Sequence, residues 1–215
     1  MENQVQEMKV TTADPSALGL FGLAMVTLVA STEKLGWTSG LSNVLPWAIF
    51  LGAGAQLVAC LNDIKRNNTF GATAFGAFAF FWLAVGMTWM IKMGVLGTAF
   101  GAVDATGAPV AAAVIDGRQF GVAFIGYLIF TLYMTIGAME TNKALFIIFV
   151  LIDFLFVGLA MKSLGIIPAV AQQIAGWSEL AIALMSFYAS AASVLNIHFG
   201  KVFIPVGKPF GIFKK

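Results

Sequence analysis

With one cysteine, one histidine and only 10% charged residues in a length of 215, the chain is poor in the groups that most soluble enzymes are built around. A lone Cys60 cannot close a disulfide within the chain, and a lone His198 without thiol partners cannot make a zinc, haem or iron–sulfur site of the usual kind. No nucleophile–base pair or metal cluster is recognisable, so neither enzymatic activity nor a cofactor is expected. The net charge of +2 comes from a few loop and tail lysines, and no basic face is left to bind nucleic acid. A soluble domain would need about a quarter of its residues charged to cover its surface. Most of this chain is therefore expected to face lipid or other protein. Residues 1–13 are polar, with Glu2, Glu7 and Lys9, and lack the basic start of a secretory signal, so the N-terminus is expected to stay on.

What the chain has in quantity is apolar sequence: 60% hydrophobic residues, with 20 Phe and 23 Gly. Hydrophobic stretches recur at about 15–31, 45–62, 70–91, 120–138, 144–161 and 177–196. Each is near the roughly 20 residues that cross a hydrocarbon core as helix. Sustained apolarity without period-2 alternation favours helices over a barrel. The expected fold is an all-α membrane protein, a bundle of six transmembrane helices forming one domain over 1–215, with short tails at 1–13 and 198–215.

An even number of spans puts both termini on one side. Lys9, Lys65, Arg66, Lys143, Lys201, Lys208, Lys214 and Lys215 fall on that side, against Lys34, Lys92, Arg118 and Lys162 on the other. The excess predicts cytoplasmic termini in the inner membrane. The long connection 92–119, with Asp104 and Asp116, is then a non-cytoplasmic loop, and its 110–115 run could be an interfacial or re-entrant piece.

Small residues four apart, at Ala55/Ala59, Ala72/Gly76 and Ala189/Ser193, read as close helix packing, with a pore lining as the lesser alternative. Trp37, Trp47, Trp89 and Trp177 sit near span ends and read as interfacial belts. Asp14-Pro15 opens the first span either as a simple cap or as an anion-attracting helix start. Gln56, Asn62, Asn68, Thr69, Tyr188 and Asn196 could bind a carboxylate without a formal positive charge, and interhelical bonding explains them equally well. Asp153 lies inside a span, where it is either a proton relay or a protonated, hydrogen-bonded carboxyl. Glu179 and His198, placed at the two ends of the last span, read as structural.

The stretch Asp14-Pro15-Ser16-Ala17-Leu18-Gly19-Leu20 resembles the Asn-Pro-Ala-Pro-Leu-Gly-Leu signature of the acetate uptake transporter family, which includes the bacterial succinate/acetate-proton symporters. Asn68-Thr69-Phe70-Gly71, running on to Phe81-Trp82-Leu83, is similar to the start of that family's third span. Ala175-Gly176-Trp177, Tyr188, Leu195-Asn196 and Phe199-Gly200-Lys201, with Pro205 and Gly207, resemble its last span and tail. The resemblance implies a homohexamer with a separate pathway for acetate, and sometimes succinate, through each subunit. It implies substrate-pathway roles for Gln56, Asn68, Thr69 and Tyr188, and a hydrophobic constriction near Leu18, Phe21, Leu23 and Phe78. Three departures stand out: Asp14 replaces the signature Asn, Phe78 stands where relatives often have Tyr, and Asp153 falls where relatives are uncharged.

The expected function is proton-coupled transport of acetate and related short carboxylates, with membrane lipid as the surrounding partner. A passive anion channel is the alternative, and a pore for urea or ammonia a more distant one. If Asp153 relays the proton, Asp153→Asn will change the pH dependence of acetate uptake; an unchanged dependence removes the relay.

Overall fold

The structure, a computed structural model, describes residues 12–95, 106 and 116–213. Among the described residues, six helices are long and apolar enough to cross a membrane: α1 Ser16–Lys34, α2 Leu45–Lys65, α3 Thr69–Lys92, α4 Gly117–Ala138, α5 Lys143–Ser163 and α6 Pro168–Phe199. No strand occurs among the described residues. Residues 110–115 and Asp104, read above as part of a loop or re-entrant piece, lie outside the described residues, as do residues 1–11 of the N-terminal tail.

Each helix start has to satisfy N–H groups that lipid cannot. The Asn68 side chain accepts from the Gly71 N–H, that of Asn142 from Leu145, and that of Asp116 from Arg118. Asp14 accepts from the Ser16 N–H at 3.0 Å, as the capping alternative anticipates.

Two helices differ from the sequence expectation. The last begins at Pro168, well before 177, because the polar pair Gln172 and Gln173 depresses hydropathy without breaking the helix. Gln172 Nε2 donates to the Lys34 carbonyl at 2.9 Å, which accounts for its polarity there. Glu179 accordingly lies well inside α6, fully buried, with Lys34 Nζ at 2.8 Å joining α6 to the end of α1. In α2, residues Ala48–Ala55 are π-helical, a local widening that apolar periodicity does not reveal.

The helices form a ring. α1 packs along α6, α5 lies between α6 and α4, and α2 joins α1 to α3. Between α3 and α4 the closure is made by side chains. Tyr127 donates to the Ala77 carbonyl at 3.0 Å, and its ring stands 4.9 Å from Phe81. Phe81 also touches Trp82, Phe124 and Phe156, so one ring links three helices.

Small residues set the closest approaches. A Cβ on Gly22 would collide with the Leu51 carbonyl and with Ala55, and one on Gly76 would meet Cys60 Sγ at 2.9 Å. Ala55 and Gly76 therefore serve helix packing. Trp37, Trp47 and Trp177 are exposed, as a belt requires, whereas Trp89 is buried against Trp82 and is a core residue.

The C-terminal tail folds back over the end of the bundle that carries the N-terminus. Asn196 Nδ2 donates to the Ile204 carbonyl, and its Oδ1 accepts from the Phe203 and Ile204 N–H groups, each at 2.8 Å. Tyr188 donates to the Pro205 carbonyl, and the Phe210 N–H bonds Met139.

Gly158 packs on α6 so closely that a Cβ would sit 2.7 Å from the Ala171 carbonyl and the Ala175 nitrogen, while Gly126 on α4 has open space. Gly158→Ala is expected to cost about 1–3 kcal/mol through overpacking. Gly126→Ala should be neutral or slightly stabilising. Thermal unfolding of the two variants in detergent checks the contrast.

Candidate functional site

A cavity of about 330 Å³ opens at the end where the tail folds back and runs into the bundle between α1, α2, α3, α5 and α6. Its volume is at the small end of the range for ligand pockets, about 300–1,000 Å³. The mouth is polar, with Asp14, Asn68, Thr141, Asn142 and Asn196 on its rim and Val206 of the tail beside them. Three helices begin there: α1 at Ser16, α3 at Thr69 and α5 at Lys143. Their N-terminal dipole ends converge on one opening, each favouring a nearby anion by about 0.3–1 kcal/mol. The carboxylate of Asp14 opposes this, with Arg66 Nη1 3.6 Å away to offset it.

Behind the rim lies a second carboxylate that the sequence reading did not single out. Asp63 is buried, one oxygen accepting from Asn68 Nδ2 at 3.0 Å. A Cβ on Gly71 would collide with its other oxygen, so only glycine at 71 leaves the carboxylate its place. Asn68 thus ties Asp63 to the start of α3 while lining the cavity itself.

The floor is apolar. Leu23, Phe78, Ile148, Phe149 and Ile152 surround it, with Phe78 set 6.2 Å from Phe149 and 6.0 Å from Phe130. Gln56 is the polar group at this depth, about 13 Å along α2 from its mouth-side end at 1.5 Å per residue. That is close to half of a hydrocarbon core about 30 Å thick. The Gln56 side chain is fully buried; Nε2 donates to the Gly52 carbonyl at 2.8 Å and Oε1 has no partner.

Of the residues expected from the sequence, Gln56, Asn68, Leu23 and Phe78 come together around this cavity. Leu18 and Phe21 lie on the outer face of α1, 44% and 39% exposed, with Phe21 edge-on to Phe187. Thr69 is exposed at the start of α3, and Tyr188 fastens the tail. Asp153 accepts from Thr135 Oγ1 at 2.7 Å between α5 and α4, away from the cavity. Ala189 and Ser193 line the cavity, so this small-residue pair has the wall role that was the lesser alternative. Asn142, Ile148, Phe149 and Ile152 were missed. The wall of α5 does repeat at helical spacing, but apart from Asp153 the interior of α5 is apolar on every side, so spacing could not distinguish its inner face.

Residues 2–208 match the model of the GPR1/FUN34/yaaH family. The chain belongs to that family. It is 32% identical over 198 residues to the succinate-acetate/proton symporter SatP of Escherichia coli (strain K12), covering 91% of this chain and 96% of that one. It is 29% identical over 154 residues to ammonia transport outward protein 2 of Saccharomyces cerevisiae, covering 70% of this chain and 51% of the relative. Among solved structures, the bacterial acetate channel SatP superposes with a TM-score of 0.78 at 30% identity, over 92% of this chain and all of that one. The resemblance read from three short motifs thus extends over nearly the full length of a GPR1/FUN34/yaaH protein.

Asn68→Ala removes a helix cap and strips a buried carboxylate of its partner. The expected loss is about 1–3 kcal/mol. Thermal unfolding in detergent measures it, and an unchanged midpoint would show that the Asp63–Asn68 bond carries no stability.

Proposed function

We propose that this protein carries acetate and related short carboxylates such as succinate across the membrane, coupled to protons. The observation that carries the reading is the cavity itself: three helix N-termini at a polar mouth, leading to a small apolar floor near mid-span with one buried amide. A carboxylate faces a large desolvation penalty in hydrocarbon. Helix N-termini and the Asn68 and Asn142 side chains replace part of its water at the mouth, and Leu23, Phe78 and Ile152 hold the floor to small substrates. The names of the relatives, a succinate-acetate/proton symporter and an acetate channel, support the same substrate class and a transport role without catalysis.

In this reading Leu18 and Phe21 act outside the cavity. Their exposure, with that of Val122, Ile129, Leu132 and Ile136 on α4, leaves broad apolar faces for lipid and for neighbouring copies in a hexamer. Thr69 and Tyr188 shape the mouth indirectly, through the start of α3 and the tail. Asp153 would reach the route only through α5. The basic-residue bias supports the cytoplasmic membrane with both termini inside. A passive channel is the second reading, favoured by the solved relative described as an acetate channel.

Labelled-acetate flux into proteoliposomes separates the two. Acetate starts equal on both sides, membrane potential is clamped, and protein-free leak is subtracted. An electroneutral, pH-driven, protein-dependent flux is the expected result. Flux that follows potential and ignores the pH gradient identifies a channel, and absence of protein-dependent flux removes the transport reading.

A further inference from the structure

Gln56 Oε1 is a buried hydrogen-bond acceptor with no donor, on a residue that lines the cavity. The orientation of its amide is fixed by Gly52. With Nε2 2.8 Å from the Gly52 carbonyl, exchanging the two ends of the amide would set oxygen against oxygen. Leu23, Phe78 and Ile152, which line the same cavity, offer no donor. Among the described residues no cationic side chain lines the cavity, and the one charged lining residue is the carboxylate Asp14 at the mouth. A carboxylate ion brought to this floor would lose its hydration and place an acceptor against an acceptor. A carboxylic acid would present an O–H to Gln56 Oε1 and its alkyl group to the apolar wall.

Resting on the transport reading above, we infer that the undissociated acid is the species that passes the floor, donating its O–H to Gln56 Oε1, and that the same site accepts small primary amides such as acetamide. The proton balance closes without a protein relay. At the wet mouth the carboxylate takes a proton from hydronium, giving acid and water; the acid passes Gln56 neutral and returns the proton to water on the other side. One proton thus moves with each monocarboxylate, and no side chain changes its charge.

The titratable groups on the packed elements are placed to stay out of this step. Just before α1, Asp14 is at the mouth beside Arg66, which follows the end of α2, while Glu33 and Lys34 lie at the opposite end of α1. On α2, Cys60 lies against Gly76, Asp63 is held by Asn68, and Lys65 ends the helix. Lys92 ends α3 at the far side, over the Phe120 ring. On α5, Lys143 is at the start beside Phe210, Asp153 faces Thr135, and Lys162 is in the last turn. On α6, Glu179 is bonded to Lys34, and His198 is in the last turn beside Phe199.

The test uses the purified full chain in proteoliposomes, with protein-free leak subtracted. Above the pKa of the acid, KM expressed as total acetate is expected to rise about tenfold per pH unit, and to stay constant when expressed as undissociated acid. Ordered binding of a proton and an anion could produce the same slope, so neutral analogues decide. Acetamide, which has N–H donors and no charge, should compete with acetate and pass; acetone, of similar size without a donor, should not compete. Gln56→Leu should abolish competition by acetamide. A KM constant in total acetate, acetamide that neither competes nor passes, or full acetamide competition in a folded Gln56→Leu variant each overturns the inference while acetate transport stands. If that variant does not fold, the unmodified protein still decides through the first two measurements. Loss of all protein-dependent acetate flux would instead remove the transport reading, and this inference with it.

Discussion

Inside a bilayer a polar atom has to find its partner within the protein, and that requirement organises this molecule from the backbone outward. It compels helices, and it puts Asn68, Asn142 and Asp116 at their starts. It also bends hydroxyls back onto their own helices, as Thr27 does to the Leu23 carbonyl and Thr131 to Leu128. Among the described residues other buried polar atoms, such as Trp82 Nε1 and Ser186 Oγ, also lack a partner; what sets Gln56 Oε1 apart is that its residue lines the cavity. Gln56 is half satisfied by Gly52, and its Oε1 is left without a partner on a residue that shares the cavity wall with Leu23 and Phe78.

Packing supplies the rest of the geometry. Without a hydrophobic drive between helices in lipid, contact depends on how closely backbones approach. Gly22 admits the turn of α2 that contains Leu51 and Ala55, and Gly158 admits α6 at Ala171 and Ala175. These approaches tighten one side of the ring. On the other, α3 and α4 are held together by the rings of Phe81 and Tyr127, and Phe156 of α5 packs against the same ring of Phe81. The result is a bundle with a cavity that runs in from one end to about its middle.

Six helices were legible in the sequence because length and apolarity are properties of a continuous run. The start of α6 was not, since Gln172 and Gln173 look like a boundary until their bond to α1 is known. The π-helical turn of α2 was hidden too, because Ala48–Ala55 is apolar whichever way it winds. For the site, Gln56 and Asn68 stood out as polar residues in apolar surroundings, and their place around one cavity agrees with that signal. Leu18 and Phe21 lie on the helix that the signature opens, whose inner residues are Leu20 and Leu23; a short apolar stretch does not say which of its members turns inward. Asp63 escaped notice because it reads as an ordinary charge at a span end, and its burial depends on the absence of a side chain at Gly71.

The tail that folds across the mouth has a consequence for how the protein is made. Val206 forms part of the rim, Pro205 and Ile204 are fastened to Tyr188 and Asn196, and residues 210–213 are bonded to Met139 and Glu140. These residues leave the ribosome after all six helices. The helices can enter the membrane and pack while the mouth is still missing one side, so the finished opening is the last feature to form. An incomplete translation product would retain the bundle and its interior but lack the collar that narrows access to it.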